Sequence, residues 1–140
     1  MKTAKSIKSI VVISLLSILA ACSDGGIMDI SGGSSNSIVF SGQVADGYLS
    51  GARVFLDRNK NRKLDSGEPW SMSGDQGHFS LNISEGENEI YPVVAEVIAG
   101  QTVDEDLPHQ YVAESYRMEA PAGKGSFVSP LTTLVKNEMD

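Results

Sequence analysis

A single cysteine among 140 residues rules out an intramolecular disulfide. Two histidines, His78 and His109, leave little material for histidine-based catalysis or a histidine-rich metal site. Cations are scarce as well. The chain has 11 Lys and Arg against 18 Asp and Glu, a formal net charge of −7. A chain so acidic is repelled by phosphate backbones, which argues against a nucleic-acid partner. Long apolar runs are missing too. Ile10 to Ala20 is the best candidate, and it is shorter than the roughly 18 residues that a spanning helix needs. The length allows one domain. A small domain without disulfides needs another staple, and a bound metal is one solution.

The N-terminal 21 residues stand apart from that domain. Lys2, Lys5 and Lys8 precede the apolar run, the order of a secretory signal. The run ends in Leu19-Ala20-Ala21-Cys22, which resembles the lipobox of bacterial lipoproteins. The resemblance implies cleavage before Cys22 and acylation of that residue, with palmitate among the expected lipids. Acyl chains contribute about 0.8 kcal/mol per buried methylene, so such an anchor holds the protein on a membrane. Ser23 follows, where an Asp is the inner-membrane retention signal in that family, so the outer membrane of the cell envelope is the expected site. Losing the leader takes the charge from −7 to −10. Residues 22–37 read as a Gly/Ser tether with an r.m.s. reach of roughly 20 Å.

The densest pattern is the twelve-residue stretch Asp57 to Glu68, D-R-N-K-N-R-K-L-D-S-G-E. Oxygen-bearing side chains fall at places one, three, five, nine and twelve: Asp57, Asn59, Asn61, Asp65 and Glu68. That is the spacing of an EF-hand-like calcium loop. Calcium takes six to eight oxygens in a loose cage, and alternate residues of a tight loop point inward to supply them. Place seven needs a backbone carbonyl, which Lys63 can give, and place twelve a bidentate carboxylate, which Glu68 can give. Leu64 is the apolar eighth residue, expected to tie the loop to the core. Place six departs from the pattern, with Arg62 where a sharp turn favours Gly. A left-handed Arg there costs roughly 1–2 kcal/mol. Arg58, Lys60, Arg62 and Lys63 on the outward places also repel a cation. The plain alternative is an Asn- and Asp-rich turn without metal. Five oxygens in register favour calcium.

Around the loop the pattern is β. Ile38 through Val44 opens a strand, and Asp46-Gly47 marks a turn. Ala52, Val54 and Leu56 alternate as an inward set, with Arg53, Phe55 and Asp57 on the other side. The loop therefore follows a strand, unlike a helix-loop-helix hand. Gly74 to Gly77 is a turn, and Phe79, Leu81 and Ile83 form an inward set with His78 facing out. Ile90 to Ile98 is the longest apolar run after the leader and is expected as a central strand. Asp104, Glu105 and Asp106 read as a solvated acidic loop, and Tyr111 to Ala120 as one strand or two. Ser129-Pro130 is a helix start. The helix after it is either a short packing element or the first element of a second domain.

From Val39 to Leu81 the chain resembles the calcium-binding B-repeat modules of bacterial surface adhesins and the related carboxypeptidase-regulatory-like domains. The residues that carry this are Gly-Ala-Arg-Val-Phe-Leu-Asp, the loop, Gly-Glu-Pro and Gly-Asp-Gln-Gly-His-Phe-Ser-Leu. Those modules often carry Gly at loop places four and six, where this chain has Lys60 and Arg62. The resemblance implies an all-β, antiparallel prealbumin-like (Ig-like) β-sandwich over residues 38–128, followed by the helix of residues 129–140. It also implies a stalk, spacer or adhesive role.

No catalytic constellation stands out. There is no Gly-x-Ser-x-Gly elbow. Gly123-Lys124-Gly125-Ser126 hints at a phosphate loop, but the required leading Gly is absent. No activity is expected. The alternative to a calcium-stiffened module is a glycan- or peptide-binding surface module using Trp70, Tyr48 or Tyr91 as a platform, or an accessory domain of a larger surface protein. Ordinary core packing is the expectation for each of those aromatics. A monomer is expected.

Overall fold

The computed structural model describes residues 36–107 and 110–140. The leader, Cys22, most of the tether and His109 lie outside the described residues. The described chain is all-β apart from one 3-10 turn, Asp75–Gly77, a single-turn helix α1 (Glu87–Ile90) and the C-terminal helix α2 (Pro130–Met139). The strands are β1 (Ser37–Val44), β2 (Leu49–Ser50), β3 (Arg53–Leu56), β4 (Trp70–Met72), β5 (His78–Ser84), β6 (Val93–Val97), β7 (Val103–Asp104), β8 (Tyr116–Ala120) and β9 (Phe127–Val128).

They form a three-stranded sheet in the order β5-β1-β9, a four-stranded sheet in the order β4-β3-β6-β8 and the small pair β2-β7. β1 pairs antiparallel with β5 from Ser37–Ser84 to Gln43–His78, and parallel with β9 at Gln43 and Val44. One apolar core draws on both larger sheets. Phe79, Leu81 and Ile83 come from β5, Val54 and Leu56 from β3, Val93, Ala95 and Val97 from β6, and Met118 and Ala120 from β8. The alternation read from β3 and β5 is the inward set found. Removing apolar side chains from water in this way is the main stabilising term of the domain.

The outer face of the four-stranded sheet departs from the alternation. Trp70, Phe55, Val94 and Glu119 make one row across β4, β3, β6 and β8. Phe55, expected on the exposed side, is as buried as Val94. Glu119 is buried beside them. Helix α2 covers part of this face at β8. Glu119 N donates to Thr133 Oγ1 at 2.9 Å, and Thr132 Oγ1 donates to the Glu119 carbonyl at 2.8 Å. Two hydroxyls thus satisfy the backbone of Glu119 on the free edge of β8, which blunts that point as a template for another strand. Ser129 caps α2 reciprocally with Thr132, as its sequence implies.

Three local expectations need correction. The run from Ile90 is no single strand: Ile90 ends α1 and is exposed, Pro92 has no N–H to give a ladder, and β6 starts at Val93. β6 is central, between β3 and β8, as expected. Trp70 and Tyr48 are exposed rather than packed in the core, while Tyr91 packs against it. Leu64 is half-buried and lies outside the core cluster.

Candidate metal loop

Asp57 to Glu68 connects β3 to β4, so the loop is the tip of a hairpin whose legs pair in register. Hairpin loops usually have two to five residues, and a connection of this length without a role is uncommon. Both ends are fixed. Leu56 N donates to the Pro69 carbonyl at 3.1 Å, and Asp57 N to the Pro92 carbonyl at 3.0 Å. Asp57 and Glu68, at the two ends, are 1% and 8% exposed.

The interior is held by the loop's own amides. Asp57 Oδ1 accepts from Asn61 N at 3.2 Å and Oδ2 from Arg62 N at 2.8 Å. Glu68 Oε1 accepts from Arg58 N at 2.8 Å and Oε2 from Asp65 N at 3.0 Å. Asn61 Oδ1 accepts from Lys63 N at 2.7 Å. The amides of Asn59 and Asn61 both donate to Asp65 Oδ2, at 2.7 and 2.6 Å. These two bonds hold the exposed Asp65 carboxyl below its usual range. The structure thus brings Asp57, Asn59, Asn61, Asp65 and Glu68 into one short loop stitched by side chain-to-backbone bonds, and Lys63 takes part through its N–H. Asn59 Oδ1 accepts from Asn61 N at 3.1 Å, so in both Asn side chains the oxygen faces a loop N–H and the NH2 faces Asp65.

The loop's backbone follows the turn that place six demands. Arg62 has φ +64° and Lys60 φ +60°, left-handed at both places where the resembled modules carry Gly. Each costs roughly 1–2 kcal/mol relative to an unstrained residue.

The arginines do not stay with the loop carboxylates. Arg58 forms a two-pronged pair with Glu87 at 2.9 and 3.0 Å. Arg62 Nε lies 2.7 Å from Oε1 of Glu119. Among the described residues no Lys or Arg is ion-paired with Asp57, Asp65 or Glu68. Sequence spacing alone did not reveal Glu87 and Glu119. They lie far along the chain, and only the fold brings them to the loop.

The other candidate motifs are structural. Gly125, in the phosphate-loop look-alike, lies so close to β6 that an added Cβ would meet Val93 at 2.5 Å. His78 is exposed on β5. No family model, curated protein or solved structure matches the chain.

Proposed function

We propose that the protein is a calcium-binding, lipid-anchored module of the bacterial cell envelope with a structural, spacer or adhesive role. The observation that carries the calcium reading is a pair of buried carboxylates, Asp57 and Glu68, that form no ion pair among the described residues although their loop contains four cationic side chains. Buried charges are ordinarily paired or bound to a metal. Arg58 and Arg62 are engaged elsewhere, which leaves room for a different positive charge. The donor set is all oxygen and suits calcium: Asp57, Asn59, Asn61, the Lys63 carbonyl, Asp65 and Glu68. Bound there, calcium would neutralise three carboxylates and hold the β3–β4 hairpin closed.

The scaffold is read as a prealbumin-like β-sandwich, supported by two sheets that share one core. Anchoring rests on Leu19 to Cys22 and on the tether. A second reading, a glycan- or peptide-binding surface module, is favoured by one observation. Trp70, two residues beyond Glu68, is 55% exposed and offers a flat apolar face beside the loop.

Calorimetric titration of the full chain with calcium tests the first reading. Extracellular modules bind at about 10⁻⁴–10⁻³ M, and a constant in that range is expected. Heat no different from buffer dilution would remove it. For the anchor, radioactive palmitate should label the wild type and not Cys22→Ser, and a labelled variant would rule the lipobox out.

A further inference from the structure

Arg62 belongs to two parts of the molecule. Its backbone N–H donates to Oδ2 of Asp57 at 2.8 Å and so orients the first proposed ligand. Its guanidinium leaves the loop. Nε meets Oε1 of Glu119 on β8 at 2.7 Å, and Nη2 donates to Oδ1 of Asn137 at 3.0 Å. The same nitrogen lies 3.6 Å from Oδ2 of Asp140. Asn137 is in the last turns of α2 and Asp140 is its C-cap. Asp57, Arg62, Glu119, Lys136 and Asp140 line one small cleft of about 190 Å³.

A turn alone does not call for this residue. Gly would take the left-handed conformation without strain. Arg adds a reach of several ångströms and a positive charge at the C-terminal end of a helix, where the macrodipole favours one. Its partner Glu119 has a side chain only 5% exposed, so the contact is specific in position as well as in charge.

We propose that Arg62 couples the metal loop to helix α2: calcium in the loop tightens the docking of α2 on β8, and docked α2 tightens calcium. This rests on the calcium reading above. The route is short. Calcium fixes the Asp57 carboxylate, and Asp57 Oδ2 holds the Arg62 N–H. That hydrogen bond fixes the left-handed turn, and the turn aims the guanidinium at Glu119 and the end of α2. In the empty loop the three carboxylates repel one another, the turn loosens, and the guanidinium loses its aim. Linkage makes the effect reciprocal. Arg62 is a positioning residue and is not among the proposed ligands.

Amide exchange of α2 in the full chain tests this, in chelator and in about 10–100 mM calcium chloride, roughly a hundredfold the expected constant. Trp70 fluorescence reports the loop independently. In the wild type, calcium should change Trp70 emission and slow α2 exchange at least about fivefold, the lower end of measured couplings between sites. Asp57→Ala should lose both responses. Arg62→Gly should keep the Trp70 response and lose the α2 response. An Arg62 that merely braced the fold would alter α2 exchange equally with and without calcium. Should Arg62→Gly fail to fold, Glu119→Gln preserves shape and removes the charge partner, and it too should lose the α2 response. A calcium-dependent Trp70 signal with unchanged α2 exchange in the wild type overturns the coupling and leaves the calcium reading standing. So does a full α2 response in the folded variant. No response of either reporter in the wild type overturns the calcium reading and the coupling together.

Discussion

The backbone N–H of Leu56 donates to the carbonyl of Pro69, closing the twelve-residue loop between them at its base. Whatever orders the loop therefore also orders the end of β3, a strand buried on both faces.

Calcium should raise the melting temperature. At a hundredfold excess over its dissociation constant a ligand adds about 2.7 kcal/mol. Each kcal/mol moves a domain near a hundred residues by roughly 4–8 °C, so a rise of about 10–20 °C is expected. Magnesium should do much less, because it demands a tight octahedron and keeps its waters. Asp57→Ala and Glu68→Gln should abolish the rise. Melting curves in calcium, magnesium and chelator decide it, and equal wild-type curves in all three would refute the site.

Arg62→Gly is expected to destabilise the calcium-free protein. From the sequence alone the change looks favourable, since it relieves a left-handed Arg worth roughly 1–2 kcal/mol. The structure adds an opposing cost. Removing one partner of a buried pair costs about 3–5 kcal/mol, less here because the Arg62 side chain is 50% exposed. A net loss of about 1–2 kcal/mol follows. Urea unfolding in chelator measures it, and a more stable variant would show that the pair with Glu119 contributes little.

Thr132→Val keeps shape and removes one oxygen that serves both the helix cap and the β8 edge. Ser129 N donates to it at 2.9 Å, and it donates to the Glu119 carbonyl at 2.8 Å. Leaving partly buried polar groups unmade costs about 1–3 kcal/mol. Chemical denaturation should register that loss, with the strand signature of circular dichroism retained. An unchanged midpoint would mean that α2 is not docked through this contact.

Acid should dissolve the Arg58–Glu87 tie. Its hydrogen bond from Arg58 is the main cause that holds the Glu87 carboxyl below its usual 4.5. A carboxyl depressed in the folded state gives stability that is fully present above the unfolded value. That stability is lost as pH falls through the folded one. The melting-temperature gap between wild type and Glu87→Gln should thus be constant from pH 7 to about 5 and shrink below about 4.5. A gap that persists undiminished at pH 2 would assign the effect to packing.

Local pattern made much of this legible. The alternation at Phe79, Leu81 and Ile83 and the Ser129-Pro130 start emerge from spacing alone, because each depends on neighbours within a turn or a strand. The proposed ligands are legible for the same reason, since one short loop holds them. Phe55 lies on the side the alternation gives it, but its burial is not legible locally, because it depends on neighbours such as Val94 and Glu119 far along the chain. Arg62 looked like a defect because its partners, Glu119 and Asn137, come from β8 and α2. Ile90 misled because apolar composition does not show that Pro92 breaks the ladder.

The parallel run of β9 beside β1 sets how the domain bears mechanical load. Gln43 N donates to the Ser126 carbonyl and Ala45 N to the Val128 carbonyl. The chain enters β1 at Ser37 and leaves β9 at Ser129, and these points lie toward opposite ends of the parallel pair. Tension applied between them slides the strands along each other, so the hydrogen bonds share the strain at once. Tension between Ser37 and Ser84, which face each other at one end of the antiparallel pair, would peel β1 from β5 one bond at a time. A domain of this topology resists a pull along its own chain axis better than one applied through that pair.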